Sequence, residues 1–102
     1  MHPAIAQHRA GIAAICLRHH IHRLEVFGSA ARADDFNPAS SDADFLIEFA
    51  ADAQPGLDAF FGAKADLEQL LGRTVDLVEP GAVRNPYVLA SINRHRETVY
   101  AA

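Results

Sequence analysis

Two strand-like segments flank one long apolar helical face in this chain, and that order limits the folds open to it. "DADFLIEF", residues 42–49, alternates in character as a half-buried strand does. "TVDLVEP", residues 74–80, reads as another strand, ended by Pro80 because a proline cannot donate to a central ladder. Between them Leu57, Phe60, Ala63, Leu67, Leu70 and Leu71 share one helical face, opened by Pro55 and Gly56 and stopped at Gly72. A helix of that length between two strands can serve as a crossover. Upstream, Ile5, Ile12, Ile15 and Cys16 recur at helical spacing behind Pro3 and predict an amphipathic helix over residues 3–20, with His8 and His19 bordering the stripe. "LEVFGS", residues 24–29, reads as a short strand ending at Gly28, and "ADDFNPASS", residues 33–41, as a turn-rich linker. The tail from residue 86 to about residue 96 reads as a last helix, with "ETVYAA" either frayed or forming a short edge strand. Helices before, between and after strands predict an α/β (α+β) architecture, a small mixed sheet of three to four strands with helices packed against it.

With 102 residues the chain has the size of one domain, expected to span 1–102, and a chain of that length buries roughly two-thirds of its unfolded surface. Half of its residues are hydrophobic and 22% are charged, which excludes the composition of a disordered chain. The formal net charge is −4 and the nine Lys and Arg are scattered, so no direct DNA binding is expected. Cys16 is the single cysteine, which rules out an internal disulfide and fits a reducing compartment. No segment approaches the ~18 apolar residues of a membrane span, and no signal-peptide pattern opens the chain. A cytoplasmic protein without membrane contact is expected.

The chemistry concentrates in "VFGSAARADDFNPASSDADFLIEF", residues 26–49. Strand alternation points Asp42 and Asp44 the same way, and Ala43, Phe45, Ile47 and Phe49 the other. Two carboxylates about 5 Å apart at an effective dielectric near 20 repel by about 3 kcal/mol, which protonation, solvation or a bound cation must relieve. Hard oxygen ligands on a rigid strand suit Mg²⁺, which completes its shell with water and substrate phosphate. Gly28 and Ser29 supply the complementary element: a residue without Cβ lets backbone N–H groups approach a phosphate, and a hydroxyl adds a donor. Separately, a Gly-Ser turn and a solvated Asp-x-Asp strand start are ordinary features. Asp76 lies between Val75 and Leu77 and is costly to bury unless partnered, so it either joins the acids around a cation or emerges on a solvent face.

Gly28-Ser29, a linker, Asp42-x-Asp44 opening a strand, and Asp76 on a later strand together resemble the minimal nucleotidyltransferase branch of the DNA polymerase beta-like nucleotidyltransferase superfamily. The resemblance implies that superfamily's fold. It also implies Mg²⁺ held by Asp42, Asp44 and Asp76, a triphosphate held by Gly28 and Ser29, and Asp76 helping to activate the acceptor hydroxyl. The linker from Ala30 to Ser41 is longer than the family's usual spacing, and Ala33 stands where glycine is common. Arg32 either neutralises phosphate charge or pairs with Asp34 or Asp35, and Ser41 is either a turn or cap residue or a further nucleotide contact.

The remaining features have simpler readings. His19, His20 and His22 lack the cysteine or H-E-x-x-H context of a zinc site and suit a helix C-terminus. Cys16 sits on the apolar stripe without cationic neighbours, Phe60 and Phe61 read as core or core-edge residues, and Glu79 as a solvated strand terminus.

The function the resemblance implies is Mg²⁺-dependent transfer of a nucleoside monophosphate, AMP from ATP, to an acceptor hydroxyl. A chain with no room for an acceptor-gripping domain suits an acceptor that brings its own docking surface. That expectation points to a protein partner of HEPN toxin type, silenced by adenylylation on tyrosine, with this chain as antitoxin. The competing expectation is a binding module that neutralises its partner by occlusion, and a third is transfer to a small molecule such as an aminoglycoside. The apolar tail "VYAA" is also placed to pair with a second copy.

Overall fold

β2 (Ala43–Phe49), α3 (Leu57–Leu71) and β3 (Val75–Val78) form the expected crossover, because β2 and β3 pair in parallel and such pairing requires a connection that returns along the sheet. The computed structural model describes residues 2–28, 43–50, 57–82, 84–94 and 96–102. Before the crossover come α1 (Pro3–Ala6), α2 (Arg9–Arg18) and β1 (Ile21–Phe27); after it come a 3₁₀ turn (Pro80–Ala82), α4 (Pro86–Arg94) and β4 (Arg96–Ala101). The sheet order is β3-β2-β1-β4, with β1 antiparallel to both neighbours. A mixed α/β fold with a four-stranded sheet results. Among the described residues no helix is long and apolar enough to cross a membrane.

One face of the sheet carries the core. Leu24 and Val26 of β1, Ala43, Phe45 and Ile47 of β2, and Val75 of β3 are fully buried against the apolar stripes of α1, α2 and α3. Ile5, Ile12, Ile15 and Cys16 all lie in that cluster, as do Ala63, Leu67 and Leu71. Full burial of each such aliphatic side chain contributes about 1.5–3 kcal/mol. α2 and α3 run side by side: Arg18 Nη1 donates to Asp66 Oδ2 at 3.1 Å, and His19 Nε2 shares a 2.7 Å hydrogen bond with the same oxygen. Glu68 on α3 accepts from the backbone N–H of Val75 at 3.1 Å and fastens the start of β3 to the crossover helix.

The structure corrects two element boundaries and decides a third between its expected alternatives. The expected helix over 3–20 is two helices separated by Gln7 and His8, and the break leaves Ile5 and Ile12 on one face. β1 starts at Ile21, because His20 adopts the left-handed region (φ 57°) and turns the chain directly from α2 into the strand. The tail forms the edge strand β4, paired antiparallel with β1 of the same chain, with Val99 and Tyr100 packed against the core.

Candidate active site

β1 ends at Gly28, whose φ of +69° falls in the left-handed region that side chains resist. A Cβ there would stand 2.9 Å from Asp44 Oδ2, so any side chain would also push that carboxylate aside. The close approach follows from register: Phe27 is the β1 partner of Asp44, and the next residue along the chain passes beside its carboxylate. On its other side Asp44 is in register with Asp76 of β3. Register partners on adjacent strands point to the same face at a backbone spacing of about 4.8 Å, which lets both carboxylates reach one small cation. The backbone is tied at this end, where Ala43 N–H donates to Thr74 O at 3.1 Å.

Gly28, Asp44 and Asp76 are therefore brought together at one end of the sheet, on the face opposite the core cluster. Ser29, Arg32, Ser41 and Asp42 lie outside the described residues. Asp44 is half-buried and Asp76 is exposed. Asp76 emerges on a solvent face, one of the two placements open to it from the sequence. What joins it to Asp44 is strand register, and solvent reaches it from the open side.

The acid-bearing face also holds a polar cluster that sequence reading overlooked. Glu25, two residues before Phe27, is 6% exposed and is the buried charged residue among the described ones. Its carboxylate accepts from Arg96 Nε at 2.9 Å and Arg96 Nη2 at 2.7 Å, and Arg23 Nε lies 3.1 Å from Oε1. Arg96 Nη1 donates to Asn93 Oδ1 at 2.6 Å. These bonds, chiefly those from Arg96, hold the Glu25 carboxyl below its ordinary range against the opposing effect of burial, and raise Arg96 in turn. The available signal was a glutamate between two apolar residues, Leu24 and Val26, in a short strand. Leu46, buried outside the core cluster on the same side of β2 as Asp44, shows that this face is partly covered too.

Cys16 and Glu79 fit their simpler readings, whereas Phe61 is exposed and His22 lies in β1 rather than at the helix end. Burial pushes the Cys16 thiol up to about 12, which leaves no nucleophilic thiolate. Glu79 is exposed beyond the end of β3.

A nucleotidyltransferase domain model matches residues 10–99. A Methanocaldococcus jannaschii protein assigned as a protein adenylyltransferase, MJ0128, is 39% identical over 75 residues, covering 74% of this chain and 72% of the relative. A solved structure assigned as a minimal nucleotidyltransferase is 31% identical, with a TM-score of 0.70 over 89% of this chain and 88% of that one. A third structure, a tri-AMPylated Shewanella oneidensis HEPN toxin in complex with MNT antitoxin, matches at a TM-score of 0.63 and 16% identity, covering 94% of this chain and 71% of that one. That last likeness speaks to the fold. With a glycine turn seated against register-paired acids and the domain model spanning residues 10–99, the chain belongs to the nucleotidyltransferase domain family and shares the fold of minimal nucleotidyltransferases.

Proposed function

We propose that residues 1–102 act as one nucleotidyltransferase domain that moves AMP from ATP to a hydroxyl on a protein partner, as the antitoxin of a HEPN-type toxin. The observation that carries this reading is the cross-strand register of Asp44 with Asp76 beside the left-handed Gly28. The assignment of MJ0128 supports protein adenylylation, and the shared fold with the MNT antitoxin of an AMPylated HEPN toxin supports the partner.

The donor set fits Mg²⁺: two carboxylates in register on neighbouring strands, one of them exposed, leave room for phosphate and water oxygens. Asp44 and Asp76 would hold the ion together with Asp42. When bound, Mg²⁺ neutralises charge developing at phosphorus and lowers the pKa of the attacking hydroxyl. Gly28 opens the turn that, with Ser29, receives the triphosphate through backbone N–H groups and a hydroxyl, and Arg32 and Ser41 add contacts to it. Exposed Asp76 faces the side from which an acceptor arrives and takes up its proton. A bond then forms from the acceptor oxygen to the α-phosphorus, the bond from that phosphorus to the bridging oxygen breaks, and pyrophosphate departs. The buried Cys16 thiol is not available as a nucleophile for this step.

The test is to co-express the chain with a candidate HEPN-type protein and to weigh that protein by mass spectrometry. A gain of whole AMP groups, absent with Asp44→Asn, is expected. An unchanged mass together with neutralisation by the folded variant would replace transfer with occlusion.

A further inference from the structure

Asp76, Asp44, Phe27 and Arg96 form one cross-strand row: Asp44 pairs with Asp76 and with Phe27, and Phe27 pairs with Arg96. An arginine thus starts on the same row as the acids. Its backbone lies two strand spacings from that of Asp44, about 10 Å, a gap that an arginine and an aspartate side chain together can span. In the structure its guanidinium turns instead toward Glu25, one pleat back along β1, and every nitrogen is engaged: Nε and Nη2 by Glu25, Nη1 by Asn93.

Stability alone does not explain this arrangement. Glu25 lies in register with the buried Leu46, and an apolar side chain in such a place is commonly as stabilising as a buried ion pair, or more so. The bidentate geometry does confer a fixed direction on Arg96. We infer that Glu25 is a positioning residue that draws Arg96 back from the acid row, so that the guanidinium does not compete with the cation for the Asp44 carboxylate. This rests on the metal-dependent reading of the acids. It assigns the buried glutamate a role in site electrostatics: it sequesters a cation that would otherwise neutralise the acids internally.

The test measures Mn²⁺ binding, read from the electron paramagnetic resonance signal of the free ion in the presence of a non-hydrolysable ATP analogue. Denaturant unfolding runs in parallel for the parent, Glu25→Gln, Arg96→Gln and the double variant. Glu25→Gln should weaken Mn²⁺ binding by about fivefold, the scale of one partly exposed ion pair formed at Asp44. Arg96→Gln should bind as the parent does, and the double variant should recover parental binding although it has lost both partners. A purely structural pair predicts the reverse, with the double variant no better than Glu25→Gln. Parental binding in Glu25→Gln, or weakened binding in Arg96→Gln, would overturn the inference. If Glu25→Gln does not fold, Arg96→Gln and the double variant still decide, since both must bind as the parent does. A parent that takes up no Mn²⁺ would instead sink the metal reading itself, which separates the two failures.

Discussion

At Gly28 two constraints meet, a left-handed backbone and an oxygen of Asp44 that a Cβ would approach to 2.9 Å. Gly28→Ala should cost about 1–2 kcal/mol in backbone strain and also displace the carboxylate. A lowered urea midpoint, together with loss of transfer activity measured well below that midpoint, would confirm both effects. Glu25 makes a different prediction. Its folded carboxyl lies below the unfolded value, held there first by hydrogen bonding from Arg96. The stability it contributes is therefore fully present above the ordinary carboxylate range and is lost as pH falls through the folded value. Unfolding midpoints taken across that acidic window should fall less steeply for Glu25→Gln than for the parent. The placement of Gly28 and Asp44 was legible in the sequence because strand alternation and the missing Cβ are local properties. The binding of Glu25 to Arg96, 71 residues away, was not, since no local pattern encodes a partner at that separation.

Among the elements, the junction between α2 and β1 carries an avoidable strain. His20 has a φ of 57° where glycine or asparagine is usual, and it is exposed. His20→Gly should raise stability by about 0.5–1 kcal/mol, the left-handed penalty less the entropy cost of glycine, as measured by urea unfolding. The same residue explains why the start of β1 was misplaced in the sequence: a histidine gives no turn signal, and "HHIHR" hides the two-residue change from helix to strand. The break at Gln7 and His8 was hidden for another reason. Ile5 and Ile12 keep a common face across it, so periodicity runs on unchanged. α3 was readable almost to its ends because a long unbroken stripe on one helix face overrides local ambiguity.

Across the whole molecule, the site is assembled by topology. Asp44 and Asp76 meet because β2 and β3 lie parallel and in register, and the crossover helix between them packs on the core face, away from the acids. Asp76→Asn should leave folding stability within about 0.5 kcal/mol of the parent, since the side chain is exposed. The same change should lower the rate of AMP transfer by about a hundredfold or more, the scale of losing one electrostatic stabiliser at a reacting centre. Rate and denaturation measured on one preparation would check the pair. The covered part of the acid-bearing face, with Leu46 buried on it, escaped the sequence because alternation assigned that side to water.

β3 is four residues long and, among the described residues, lies at the margin of the sheet with β2 as its one hydrogen-bonded neighbour. Peripheral segments of this kind detach at lower free energy than the centre of a domain. Because that short rung delivers Asp76, gentle heating should silence the enzyme while most of its secondary structure still persists, and cooling should switch it on again.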